Sequence, residues 1–147
     1  QTLHALLPSP SCPHGLYDAV VINADEWSDW LSLVGHSVVQ LQVIFHPVHS
    51  EQFMAYVQCF NIVPQQGTVN HVNPVMGMHL LQCAVRSDGS RIGDVIPIMQ
   101  IWSPAHLIPN FSKEAHPCLT NGSSYKLSTD FWLNKYWSKE FYSALSH

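Results

Sequence analysis

Ten histidines and four cysteines are the side chains of widest chemical range in this 147-residue sequence, and their spacing decides first which reactions it could run. A zinc centre needs three or four nitrogen, sulfur or carboxylate ligands that converge. His46 and His49 flank Pro47-Val48, and His71 and His79 bracket a turn-rich stretch; Cys12-Pro13-His14 and His116-Pro117-Cys118 are local pairs whose proline hinders joint chelation. The chain has no HExxH, HxH or CxxC frame, so neither a metal nor another cofactor is expected. Nucleophilic chemistry has no frame either, since GxSxG is absent and the seven glycines form no phosphate-binding loop. Asp25, Glu26 and Asp29 cluster where a helix would start, a position that suits a cap and dipole partners better than acid–base work. Asp88, Asp94 and Asp130 are isolated. The expectation is a protein that is not an enzyme.

Cys59 and Cys83 lie within apolar runs, where a thiol acts as a small buried hydrophobe. Four cysteines allow three pairings, between which sequence does not choose. Asn110-Phe111-Ser112 and Asn121-Gly122-Ser123 fit the glycosylation pattern, which matters only if the chain is secreted.

The remaining chemistry is binding. Lys126, Lys135 and Lys139 interleave with Tyr125, Phe131, Trp132, Tyr136 and Trp137, the mixture with which single-strand binders combine backbone attraction and base stacking. Tyr125, Trp132, Lys135, Tyr136 and Trp137 are therefore the candidate ligand-binding residues, for nucleic acid or a sugar. The competing interpretation is a buried aromatic cluster rimmed by lysine stems, with Asp130 and Glu140 offsetting the charge.

Elements must position these groups. Residues 1–36 read as an N-terminal arm, with Pro8, Pro10 and Pro13 against regular structure, a short β-branched run at Ala19–Ile22, and a short helix carrying Trp27, Trp30, Leu31 and Val34 at i, i+3, i+4 and i+7. Residues 37–147 read as a β-rich core. Ser37–Phe45 and Phe53–Val63 alternate with strand period, Gly77–Arg86 forms a third strand, and Asp88-Gly89 signals a hairpin turn with both central residues at positive φ. The returning strand spans Gly93 to Trp102, and Pro97 within it demands a sheet edge or a bulge. Ala105–Ile108 forms a brief extended or helical turn. Ser138 caps a terminal helix whose buried stripe is Phe141, Tyr142 and Leu145. The fold class is mainly β with short helices: a small antiparallel barrel or sheet of about five strands with a C-terminal helix.

Composition bounds the partners. Charged residues are 11% of the chain, against about 25% in a typical soluble domain. Six Lys+Arg are too few for a phosphate-coating protein. No stretch approaches the ~20 apolar residues of a membrane span, so no membrane partner is expected. So few charges suit a domain that leans on neighbours, and the opening at Gln1 fits a piece of a longer chain or a processed product. The formal charge of −4 would become +6 with every histidine protonated, which places the solubility minimum near the pI of about 6.2.

One resemblance sharpens this. Tyr56-Val57-Gln58-Cys59-Phe60, Gly77-Met78, Ile96-Pro97, His106-Leu107-Ile108-Pro109-Asn110-Phe111 and Phe131-Trp132-Leu133-Asn134 occur in the order of segments in the C-terminal region of fungal transposon-encoded proteins of the Plavaka and KDZ transposase type. The similarity spans Ser37 to Leu145, and its most specific part is His106–Phe111. It implies a region beyond the catalytic part, hence a non-catalytic module with no catalytic residues to carry over. It also implies a protein partner or the remainder of a larger transposase-like chain, and a nuclear or cytoplasmic location. His106 is then a hydrogen-bonded structural histidine. The strand order is similar to a bromo-adjacent-homology β module, which implies protein or chromatin contacts by fold analogy. Nucleic-acid or carbohydrate binding through the C-terminal aromatics, and a histidine-metal hydrolase, are the alternatives.

Overall fold

A computed structural model describes residues 2–23, 33, 35–68, 71–111, 118, 120 and 123–145; at Tyr125 it describes the backbone only. Alternation of apolar residues builds most of it. β3 (Ala19–Asn23) pairs with β4 (His36–Phe45), and β4 with β5 (Met54–Ile62), all antiparallel. The arm before them folds back on itself as β1 (Ala5–Leu6) against β2 (Leu16–Tyr17). It is pinned beside β3, where the Asp18 carboxylate accepts both the His4 backbone N–H, at 2.8 Å, and the His4 imidazole, at 3.0 Å. The helix expected around Trp27 and Trp30 lies outside the described residues.

β6 (His79–Cys83) and β7 (Gly93–Pro97) depart from the expected hairpin. They do not pair with each other; both lie along the same side of β5, β6 opposite Phe60–Ile62 and β7 opposite Met54–Gln58. Between them the chain makes a short excursion closed by a Val85–Arg91 bridge. Its turn also differs from expectation: Gly89 has φ of +82° while Asp88 stays at negative φ. The Asp88 carboxylate accepts the Ser90 N–H and hydroxyl at 2.9 and 2.6 Å, which holds the turn from the side-chain side.

The returning strand is also not continuous to Trp102. It breaks at a 3-10 turn, Ile98–Gln100, before β8 (Ile101–Ala105) pairs with β3. Pro97 closes an edge strand, as its missing N–H requires. A single residue, His106, then separates β8 from β9 (Leu107–Pro109), which pairs with β10 (Asp130–Leu133), itself paired with β6. Because β8 and β9 are almost one strand, the two ends of the sheet meet in a seam. The result is a nearly closed antiparallel barrel of eight strand segments rather than about five. Local alternation counts strands that stay whole; it does not reveal strands broken by a turn. A four-residue helix, α1 (Ser124–Leu127), and α2 (Lys139–Leu145) complete the fold, and neither is long enough to cross a membrane.

Two buried apolar clusters lie on opposite faces of the sheet. Val21, Val38, Phe60, Leu81, Leu107, Phe131 and Leu133 pack together, and α2 sets Phe141 and Leu145 against them. On the opposite face Val20, Val39, Leu41, Ala55, Val57 and Ile96 form a second cluster, against which Leu3 and Ala5 of the arm pack. Each fully buried valine or leucine here stabilises by roughly 1.5–3 kcal/mol relative to exposure. α2 starts as the sequence suggests, with the Ser138 hydroxyl accepting the Phe141 N–H at 3.1 Å. Tyr142 departs from the expected stripe and lies exposed, because it stands one residue away from Phe141.

Candidate contact surfaces

Strand period divides the C-terminal aromatics. In β10, Phe131 and Leu133 point into the core and Trp132 points out, opposite Leu80 on one side and Ile108 on the other. Beyond β10 the Asn134 side chain accepts the Tyr136 N–H at 3.0 Å and starts a 3-10 turn over Lys135–Trp137. Trp137, half-buried, packs against the core edge-on to Phe141, with ring centroids 6.4 Å apart. Tyr136 turns the other way and is 57% exposed. Its ring lies 5.5 Å from that of Tyr142, and the Lys135 ammonium sits 5.5 and 5.4 Å from the two ring centroids.

The structure therefore brings Lys135 and Tyr136 together with Tyr142, and sends Trp132 and Trp137 elsewhere. The Tyr125 side chain lies outside the description. The Lys135–Tyr136–Tyr142 cluster also clamps a distant turn: the Tyr136 hydroxyl donates to the Met76 carbonyl at 3.4 Å, over Gly77. Gly77 has φ of +64°, and a Cβ there would stand 2.9 Å from that hydroxyl oxygen. The Lys135 charge is thus spent on two rings of its own chain, an interaction of about 0.5–1 kcal/mol at an exposed site. Chemically the cluster is a fastener.

A second surface did not figure among the sequence candidates. Where β4, β5 and β7 run side by side, Val43 stands opposite Tyr56 and Phe45 opposite Met54, while Tyr56 and Met54 stand opposite Val95 and Pro97. These six side chains share one face of three strands. Tyr56, Val95 and Phe45 are exposed there, Val95 to 49%. No aspartate, glutamate, lysine, arginine or histidine is among the six. Phe53, exposed at the end of the sheet, packs on the His46 imidazole with ring centroids 4.8 Å apart. The sequence signal was present: Met54 and Tyr56 alternate with Ala55 and Val57, so the first half of β5 has no polar side at all. Among the described residues only the Ala55 and Val57 face is fully covered.

The free edge of β7 is less open than this face. Ile92 and Ile98 bond toward Cys59 and Phe53 of the β5 side, so by antiparallel alternation Gly93, Val95 and Pro97 turn their backbone groups outward. The Val95 N–H is held by the Asp94 carboxylate at 2.7 Å, and Pro97 has none. Both features discourage addition of another strand.

Among the described residues no group of three or more His, Cys, Asp or Glu is placed to hold a metal ion. His71 is exposed, whereas His79 is buried in β6. His106 is exposed at the seam, where its Nδ1 accepts from the Asn134 side-chain amide at 3.2 Å while its carbonyl accepts the Asn134 N–H at 2.9 Å. Burial pushes both interior thiols up in pKa; Asp94 adds to the rise at Cys59, and at Cys83 the Arg91 guanidinium opposes it while Asp130 reinforces it. Neither is an activated nucleophile.

Residues 1–81, more than half of the chain, match a family described as a domain of unknown function (DUF6830). No curated protein and no solved structure matches the chain.

Proposed function

We propose, for a chain that belongs to the DUF6830 family, a non-catalytic role: a transposon-derived β module that holds another protein against its open β4–β5–β7 face. The observation that carries this is the uncharged apolar face of Val43, Phe45, Met54, Tyr56, Val95 and Pro97, on which Phe45, Tyr56 and Val95 are exposed and the other three half-buried. Contiguous apolar surface of this kind marks interaction sites in soluble proteins. Rigid strands present it, and the face can be covered without burying a charge. The partner should accordingly offer an apolar segment, either from the rest of a larger transposase-like chain or from a chromatin protein. The order of segments that resembles the transposon-encoded proteins supports this origin; its most specific piece, His106–Phe111, holds β9, which pairs with β10.

The C-terminal aromatics favour this role over nucleic-acid binding, since Lys135 is already engaged by Tyr136 and Tyr142. A photoreactive residue at Val95, with one at exposed Val75 as control, tests the proposal in cells that make the protein. The expected result is one dominant protein adduct at position 95 only. That protein, purified, should bind the wild-type chain and lose at least tenfold in affinity to Tyr56→Lys. Equal labelling from both positions, or unchanged affinity of Tyr56→Lys, overturns it. So would divalent-metal-dependent DNA cleavage that co-purifies with the folded chain.

A further inference from the structure

The chain has only two arginines, and both stand on the excursion between β6 and β7. Arg86 is accounted for: its Nη1 donates to the Arg91 carbonyl at 3.0 Å and reaches the Ser90 hydroxyl at 3.4 Å. Arg91 is different. Its guanidinium lies over the Phe60 ring, 5.6 Å from the centroid, and its Nε and Nη2 are both closed off from solvent with no hydrogen-bond partner. Those two nitrogens form one edge of the guanidinium, with parallel N–H bonds spaced to meet two oxygens of one carboxylate or phosphate. A guanidinium is never neutral in a protein, so it cannot escape the cost of an empty edge by losing its proton.

Nothing nearby in the described residues supplies the oxygens. Asp130, the carboxylate whose charge reaches Cys83, pairs in register with Gln82 and accepts from its amide at 3.1 Å. Strand alternation puts Asp130 and Gln82 on the outer face of β10 and β6, while Phe60, Cys83 and Phe131 face the core on which Arg91 rests. Asp88 is committed to Ser90. A second donor waits at the same end of the barrel. Ser128 is 8% exposed, its hydroxyl is buried with no partner, and it adjoins Thr129, whose carbonyl accepts the Cys83 N–H at 2.8 Å. Arg91 is itself only half-buried, so its empty edge lies just beneath the surface.

We propose that the Nε–Nη2 edge of Arg91 is a binding site for a small oxyanion, a carboxylate or a phosphate, at the Cys83 end of the barrel. The ligand supplies the hydrogen bonds that the packing on Phe60 denies to water, and it compensates the arginine whose fork has no acceptor among the described residues. The site is independent of the β4–β5–β7 face and stands or falls without it.

Two arginines give two Nε–H signals in a nitrogen-15 proton spectrum, assigned by Arg86→Lys or by side-chain connectivities of the wild-type protein. Inorganic phosphate and acetate are added separately, at ionic strength fixed with chloride. With either anion the Arg91 Nε–H should move downfield along a saturating curve while that of Arg86 stays within a tenth of the shift. Saturation by phosphate alone assigns the phosphate class, and by acetate alone the carboxylate class. In parallel, the same anion should raise the melting temperature of the wild type and leave that of Arg91→Met unchanged. A signal of Arg91 already downfield and protected before any addition would reveal an internal acceptor and overturn the site. Drift of both signals together without saturation would reduce it to ionic screening and overturn it as well.

Discussion

Removing the Phe131 ring should cost more than truncating Trp132, Tyr136 or Trp137, the aromatics that follow it. Phe131 is 1% exposed and meets Phe60 edge-on with ring centroids 5.5 Å apart, in a core shared with Leu81, Leu107 and Leu133. Its neighbours are strand residues held by ladders on both sides of β10, so they cannot close over the space. Phe131→Ala should therefore lose about 3–5 kcal/mol, the range for a buried aromatic truncated in a core that does not collapse. With a urea m-value of about 2 kcal/mol/M, the unfolding midpoint falls by about 1.5–2.5 M. Tryptophan fluorescence follows it, since Trp132 and Trp137 flank the site in sequence. Phe60→Leu with Phe131→Leu completes a double-mutant cycle, whose coupling should be about 0.5–1.5 kcal/mol for an edge-on ring pair. A loss below about 1 kcal/mol for Phe131→Ala would refute the inward orientation, and with it the sorting of the aromatic patch by strand period.

Three further outcomes follow from other parts of the molecule. Gly77→Ala should destabilise more than Gly67→Ala, by about 1 kcal/mol or more in denaturant melts, because both sit at positive φ but only Gly77 has the Tyr136 hydroxyl in the way of a Cβ. Lys135→Met should cost no more than about 1 kcal/mol, and the wild-type chain should show no quenching of tryptophan fluorescence by single-stranded DNA; strong salt-sensitive quenching would return Lys135 to a binding role. The hydrogen bonds from the Ser90 hydroxyl and N–H hold the Asp88 carboxyl below the ordinary value of 3.8, so the stabilisation is complete above that pH and is lost as pH falls through the folded value. Amide exchange at Ser90 should accordingly accelerate relative to the other amides of the excursion in acid, and Asp88→Asn should remove that dependence.

Much of the strand content was legible in the residues. β4 and β5 coincide to within a residue with the apolar-rich runs Ser37–Phe45 and Phe53–Val63, and Ser138 caps α2 where a serine before an apolar stripe implies a helix. Pro97 pointed to an edge. What was hidden is what alternation does not encode. It assigns faces within a strand but not the strand that will lie alongside, so nothing local tells that β6 and β7 share one side of β5, or that β8 and β9 pair at opposite ends of the sheet. The register shift between Leu41 and Val43 is similarly silent, since an extra residue in a ladder becomes visible only with its partner. The same limit governs the surfaces. A run of aromatics in sequence is not one site in space: Tyr142, six residues beyond Tyr136, is the residue that joins Tyr136 and Lys135. The open β4–β5–β7 face is hidden in the sequence for the complementary reason: an apolar face announces burial, and only the assembled sheet reveals that nothing among the described residues covers this one.

The seam at His106 also orders events in time. Synthesis proceeds from the N-terminus, so β3, β4 and β5 emerge and can pair long before β8 supplies the missing neighbour of β3, and longer still before β10 supplies that of β6. Through that interval two strands rich in valine and leucine present unpaired backbone to the cell, a state prone to joining another nascent chain. Once residues 101–109 arrive, a single stretch, hinged at one histidine, covers one end of the sheet and prepares the other. Folding of this protein should thus be slow, vectorial and late to commit, with the decisive step only after residues 130–133 have emerged.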